Sequence, residues 1–210
     1  MTRILLADDH NIFRQGLKEI VDNTTDLFVV SEAATGEETL SLCTREAVDI
    51  VLLDLTLPDI HGLDVLKHLR QACPETSVII LSMHPESQYG LRALRAGASG
   101  YLSKDCEADT LIAAIRKVRS GRLYVSPALS ELIAGGAFGR KGVTPQELLS
   151  DREFQILGMI AAGKRIKDIA DALGLSPKTV STYRHRLLEK LNLETNEELC
   201  TYARNNDMLG

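Results

Sequence analysis

No stretch of this chain approaches the roughly 20 apolar residues that a helical bilayer span requires. The densest runs are only Ile50–Leu53 and Val78–Leu81, so a membrane-spanning protein is not expected. Asp8-Asp9 follow the first apolar stretch too closely for a secretory leader. The four cysteines, Cys43, Cys73, Cys106 and Cys200, form no C-x-x-C pair and no metal-ligand spacing. Neither a disulfide framework nor a zinc site is therefore expected, and a reducing cytoplasm is the expected location. Positive charge is not in excess either: 24 Lys and Arg face 29 Asp and Glu, a net charge of −5. A general nucleic-acid coat protein is thereby disfavoured. No repeat of solenoid period and no low-complexity tract is present.

What is present fits a folded chain. Hydrophobic residues at 44% and charged residues at 25% over 210 positions allow one large domain or two ordinary ones. Ile4–Ala7, Phe28–Val30, Ile50–Leu53, Val78–Leu81 and Tyr101-Leu102 read as strands, the third and fourth apolar throughout, as strands buried on both faces are. Phe13, Leu17, Ile20 and Val21 recur at helical spacing, as do Leu63, Leu66 and Leu69, and later Leu111, Ile112, Ile115 and Val118. Alternating strands and helices predict a five-stranded parallel sheet of the flavodoxin-like doubly wound kind. Functional groups then gather beyond the carboxyl ends of the strands.

Residues 123–144 break the pattern. Ser126-Pro127 caps a short helix running to about Ala134, and Gly135, Gly136, Gly139 and Gly142 predict a flexible joint. Residues 1–122 are thus expected to be one domain, 123–144 a linker with a short helix, and 145–210 a second domain of helices only. In that second part Ser150-x-x-Glu153 and Thr195-x-x-Glu198 are capping boxes. Ile166, Ile169, Ala170 and Leu173 mark a short helix, Gly174-Leu175 a turn, and Ser176-Pro177 the start of another helix.

In a 2-1-3-4-5 sheet the carboxyl ends of strands one and three are neighbours, so Asp8, Asp9 and Asp54 converge. Three uncompensated carboxylates repel one another. A divalent cation resolves this, and an all-oxygen donor set favours Mg²⁺. Asp54 is then a carboxylate nucleophile of the aspartyl-phosphate class. Ser82 and Lys104, ending strands four and five, are placed to meet phosphoryl oxygens. An acid at a strand end is by itself an ordinary turn former. The weight lies in five residues of suitable type at the ends of four strands.

These residues make 1–120 resemble the receiver domains of two-component systems: Asp8-Asp9, Asp54-x-x-x-Pro58-x-x-x-Gly62, Ser82 and Lys104. The resemblance implies that Asp54 is phosphorylated by a sensor histidine kinase, with Mg²⁺ on Asp9 and Asp54 and with Asp8 assisting. It also implies that Ser82 and Tyr101 form a pair that moves on phosphorylation. Two positions depart from the common pattern, Asp105 where proline is frequent and Leu57 where methionine is.

Residues 149–193 run Leu-Ser-Asp-Arg-Glu, Ile156-Leu157, Ile169-Ala170, Leu173-Gly174-Leu175-Ser176, Thr179-Val180 and Lys190-Leu191. This succession resembles the LuxR-type helix-turn-helix domain, and with a receiver it implies the NarL/FixJ subgroup of response regulators. Ile166 departs, standing where a small polar residue is usual. From Lys164 to Lys190 seven basic residues face three acidic ones, as suits phosphate contact. On the helix after Pro177, Val180, Tyr183, Leu187 and Leu191 share an inward face, and Lys178, Ser181, Thr182 and His185 lie opposite. Those four are expected to read bases, with Thr179, Tyr183, Arg186 and Lys190 on the flanks meeting phosphates. Arg184 lies nearer the apolar edge.

The expected function is a transcription factor, not an enzyme, whose receiver assists only its own phosphorylation and dephosphorylation. Phosphorylation of Asp54 would control dimerisation and binding to double-stranded DNA. Partners would be the kinase, a second copy of the chain and RNA polymerase. A regulator indifferent to phosphorylation is the alternative. A Mg²⁺-dependent phosphatase usually needs a second Asp at position 56, which is Thr. A quorum-sensing regulator would share only the second half.

Overall fold

Ile50–Leu53 is apolar at every position because it runs through the middle of a sheet covered on both faces. It is β3 of five parallel strands, β1 (Thr2–Ala7), β2 (Leu27–Ala33), β3, β4 (Ser77–Ser82) and β5 (Gly100–Ser103), in the order β2-β1-β3-β4-β5. The computed structural model describes residues 1–134 and 149–206, with only the backbone of Leu132. Helices α1 (Asn11–Asp22), α2 (Gly36–Arg45), α3 (Gly62–Ala72), α4 (Glu86–Arg95) and α5 (Ala108–Arg119) alternate with the strands. Ile4, Leu6, Leu52, Ile79 and Leu81 pack with Leu17 and Val21 of α1 and Leu111, Ile115 and Val118 of α5. Their strand neighbours Leu5, Val51, Leu53, Val78 and Ile80, equally buried, point to the other face. This is the flavodoxin-like order that the alternation predicts.

β2 runs to Ala33, past the expected Val30, and its last polar residues Ser31 and Glu32 stay partly exposed or exposed. It is an edge strand, so burial does not enforce an apolar pattern along it. The Lys104–Asp105 peptide bond is trans, as are all described bonds.

The contacts divide the chain into two compact units, residues 1–138 and 139–210. The first therefore reaches beyond the expected boundary at 122. Tyr124 forms a parallel bridge with Gly100 of β5, and α6 (Pro127–Leu132) packs on α4, burying Leu129 to 1% exposure. A single helical turn or two has no stability alone, so α6 exists because the first unit holds it. The expected joint at Gly135–Gly142, and Pro145, lie outside the described residues.

In the second unit α7 (Asp151–Ala161), α8 (Ile166–Ala172), α9 (Pro177–Leu191) and α10 (Asn196–Asn205) surround Ile156, Leu157, Ile169, Val180, Leu187 and Leu199. The Ser150/Glu153 and Thr195/Glu198 capping boxes are both formed. Gly174, at φ +62°, takes the left-handed turn between α8 and α9, where a side chain is disfavoured. Ser176 then caps α9 by accepting from the Thr179 N–H at 3.0 Å. Ile166, the unusual residue, stands half-buried at the first position of α8.

Candidate functional site

The strand register places the acidic residues together. Ala7 pairs with Leu53 and Leu53 with Ile80, so β1, β3 and β4 end side by side. The Asp54 N–H donates to the Ala7 carbonyl at 2.8 Å. Asp8 and Asp54 are 3% and 2% exposed, and Lys104 Nζ lies 2.7 Å from an oxygen of each. The chain thus supplies one compensating cation itself. Burial pushes the Asp54 carboxyl above its ordinary pKa, outweighing the Lys104 ammonium and a Thr56 N–H that favour the charged form. Burial alone would lower the Lys104 pKa, but its hydrogen bonds to Asp54 and Asp8 raise it. Phe13 lies beneath the ammonium, 4.9 Å from Nζ to the ring centre.

Ser82, fully buried at the end of β4, accepts from the His84 N–H at 3.1 Å. The Tyr101 hydroxyl donates to the His84 carbonyl at 2.7 Å, and burial of the ring raises the phenol pKa. The two residues of the implied pair therefore meet the same loop residue from two strands.

His10 escaped the sequence reading. Its Nδ1 lies 2.7 Å from Asp9 Oδ1 and 3.2 Å from Asp8 Oδ1, and adjacency to Asp8-Asp9 was the signal available. Ligand atoms of Asp8, Asp9, His10 and Asp54 all fall within 4.8 Å of one another. Three carboxylates make this donor set predominantly hard oxygen, which fits Mg²⁺. Asp9 is the solvent-exposed carboxylate, with His10 beside it, whereas Asp8 is buried and accepts from the His10 N–H at 2.8 Å and from Lys104.

The spacing from Asp54 to Gly62 has a steric origin. The loop returns so closely that a Cβ on Gly62 would lie 2.3 Å from the Asp54 carbonyl oxygen and 2.6 Å from Leu55 Cα. Only glycine starts α3 there.

On α9, Val180, Leu187 and Leu188 are buried, and Tyr183 and Leu191 half-buried. Lys178, Ser181, Thr182 and His185 are exposed together, with Arg186 beside them and Thr179 half-buried. Ser181 Oγ donates to the Pro177 carbonyl at 2.9 Å and Thr182 Oγ1 to the Lys178 carbonyl at 3.0 Å. Each hydroxyl thus spends its proton on the helix and offers lone pairs outward. Arg186 stacks on Tyr183 at 5.9 Å, and His185 Nε2 lies 3.4 Å from Glu189 Oε1. Arg184 Nε donates to Asn196 Oδ1 on α10, away from the outer group.

Lys190, expected to meet phosphate, has a partner within the fold. Its ammonium lies 2.7 Å from Glu153 Oε2, a carboxylate 2% exposed that also accepts the Ser150 N–H. Lys190 thus ties α9 to the start of α7. Burial alone would raise the Glu153 pKa, but Lys190 and Ser150 outweigh it and lower it. A depressed carboxylate stabilises the fold above its unfolded pKa, and that contribution is lost as pH falls through the folded value. Lys190 is the first of the lowering causes but is 39% exposed, so solvent screens part of its contribution and the Ser150 bonds add to it. Glu153→Gln is expected to destabilise the second unit by about 1–2 kcal/mol at neutral pH. The loss should shrink in acid below about pH 4. Unfolding of the full chain at the two pH values tests this, and an equal loss at both would contradict it.

Residues 4–116 match the family described as response regulator receiver domain, and 147–203 that described as bacterial regulatory proteins, luxR family. Response regulator UvrY of Escherichia coli (strain K12) is 36% identical over 204 residues, 97% of this chain and 94% of the relative. Among solved structures, a LuxR-family two-component response regulator from Aurantimonas sp. SI85-9A1 is 37% identical with a TM-score of 0.60, covering 65% of this chain and 99% of that one. RcsB from Salmonella enterica serovar Typhimurium, bound to promoter rprA with the phosphomimetic BeF3−, aligns over 96% of this chain and 98% of its own. At 23% identity and a TM-score of 0.65, it shares the fold.

Proposed function

This chain belongs to the response regulators that join a receiver to a LuxR-type DNA-binding domain, and from that premise we propose that phosphorylation of Asp54 by a sensor histidine kinase controls how α9 reads double-stranded DNA. We assign the phosphoacceptor role to residues 1–122 with the docked 123–132, and DNA binding to 145–210. The observation that carries the reading is Asp54 itself: a buried carboxylate beside Asp8 with Lys104 at 2.7 Å.

A carboxylate oxygen of Asp54 attacks phosphorus as the bond to the kinase imidazole nitrogen breaks, leaving that nitrogen to take up a proton. Lys104 turns from carboxylate to phosphoryl oxygen, and the Ser82 hydroxyl donates to another. Mg²⁺ held by Asp9 and Asp54, with Asp8 beside them, would offset charge on the transferring group. The receiver thus assists its own phosphorylation and dephosphorylation and acts on no separate substrate. Phosphorylation favours a homodimer, so that two copies of α9 meet two half-sites and present the complex to RNA polymerase. No described helix is long and apolar enough to cross a membrane, which supports a cytoplasmic protein.

Two results test this. Labelling by acetyl phosphate should stop in excess chelator and return with Mg²⁺, and Asp9→Ala should need more Mg²⁺ without unfolding. Labelling at an unchanged rate in chelator would contradict the metal assignment.

On DNA, Ser181→Ala or Thr182→Ala should relax preference at one operator position, each lost base contact costing about 1–3 kcal/mol. Arg186→Ala should weaken all sequences alike and reduce the slope of log affinity against log salt by roughly one unit. Binding to a randomised operator library at two salt concentrations separates the effects. A changed base preference in Arg186→Ala, with none in the other two, would show that α9 enters the groove on another face.

A further inference from the structure

Residues 124–132 lie on α4 and the edge of β5, and the contacts that hold them lead back toward Asp54. Tyr124 donates its N–H to the Ser99 carbonyl at 2.8 Å and runs parallel to Gly100, where a Cβ would stand 3.1 Å from the Tyr124 side chain. The Lys117 ammonium of α5 lies 5.6 Å from the Tyr124 ring centre. Ser126 caps α6, and its hydroxyl donates to Glu86, the first residue of α4. Leu129 is buried over Gly90, whose bare backbone makes room: a Cβ there would lie 3.2 Å from both Leu129 methyls and 2.8 Å from Glu86 Cγ.

The start of α4 is tied to the phosphoacceptor edge as well. Ser82 holds the His84 N–H and Tyr101 holds the His84 carbonyl, two residues before Glu86. When Ser82 turns toward a phosphoryl group on Asp54, His84 must follow or let go, and either changes what holds the loop that leads into Glu86. The docked state is poised for this. Glu86 Oε1 is buried with no hydrogen-bond partner among the described residues, a cost that undocking relieves. Leu129 packs closely enough over Gly90 that a shift of α4 changes this contact directly.

We infer that residues 124–132 are a strap, an intramolecular occupant of the α4–β5 face that phosphorylation of Asp54 releases. The trigger rests on Asp54 being the phosphoacceptor; the docking does not. Release frees the face for a second copy of the chain and adds 124–132 to the connection leading to the second unit. An element that opens locally must be weakly held, and this one is held by one buried leucine, the Ser126–Glu86 contact, one backbone hydrogen bond with its single bridge at Tyr124, and the exposed Lys117–Tyr124 contact.

Hydrogen exchange on the full chain reads the strap directly, with beryllofluoride and Mg²⁺ as the phosphoryl mimic. In the unmodified protein the Tyr124 and Ser130 amides should be protected, and the mimic should speed their exchange at least about tenfold. In Asp54→Asn, protection should persist with or without it. Gly90→Ala, which favours the α4 helix while crowding Leu129, should lose protection before any modification and bind DNA with less dependence on acetyl phosphate. Rapid exchange at Tyr124 and Ser130 in the unmodified protein would overturn the docking. Unchanged protection with Asp54 fully phosphorylated would overturn the coupling alone. Failure of Asp54 to label would remove the phosphoacceptor reading and the trigger together, while protection at Tyr124 would still report the docked segment.

Discussion

Asp54→Asn is expected to eliminate labelling by acetyl phosphate altogether. The amide keeps the shape of the side chain and loses the nucleophilic oxygen. The substitution should not unfold the receiver. Burial raises the Asp54 pKa above its unfolded value. A carboxylate so shifted destabilises the fold once pH exceeds the unfolded pKa, so a neutral isostere is tolerated at neutral pH. Lys104 retains Asp8 at 2.7 Å as its partner. Mass spectrometry of the labelled protein, with a melting curve beside it, checks both halves. Undiminished labelling in Asp54→Asn that disappears in another Asp variant would move the phosphoacceptor elsewhere.

The second large effect is expected from a methyl group. In Gly62→Ala the new Cβ would meet backbone on two sides, the Asp54 carbonyl oxygen at 2.3 Å and Leu55 Cα at 2.6 Å. Neither neighbour is a flexible side-chain end, so the loop carrying Asp54 must move. Overpacking of this kind costs roughly 1–3 kcal/mol, occasionally more. The helix propensity gained by alanine, about 1 kcal/mol, offsets only part of it. The same shift carries Asp54 away from Lys104 and Asp9, so labelling should fall by at least about tenfold, as a misplaced nucleophile implies. Gly158, on α7 with nothing within 4 Å of its would-be Cβ, serves as the control: Gly158→Ala should leave labelling unchanged. Equal effects of the two substitutions would contradict the steric reading.

How much of this was legible in the sequence follows from which forces leave a local trace. Burial on both faces makes Ile50–Leu53 and Val78–Leu81 apolar throughout, so the central strands announce themselves and the doubly wound order follows. Caps are equally local: Ser150/Glu153, Ser176-Pro177 and Thr195/Glu198 all stand where the helices begin. Residues 123–132 looked like a linker because Leu129 is the only deeply buried apolar side chain among those described there, and its partner at Gly90 is a missing side chain. Sequence periodicity has no means of showing an absence that a distant leucine fills. Lys190 carried the charge of a DNA contact, but its Glu153 partner lies 37 positions away across the fold. The chain's own cation between Asp8 and Asp54 is a contact of the same long-range kind. Ser82 and Tyr101 were paired by resemblance, and His84, through which they meet, carries no signal of its own.

The central claim is that the charge state of Asp54 governs DNA binding by α9. It is tested most directly by selecting the preferred operator from a random library and titrating it with the full-length protein, with and without acetyl phosphate and Mg²⁺. The wild-type chain should change its affinity for that operator when phosphorylated. Asp54→Asn should bind identically in both conditions. An acetyl phosphate response of equal size in Asp54→Asn, or wild-type binding unaffected by full labelling of Asp54, would contradict the account.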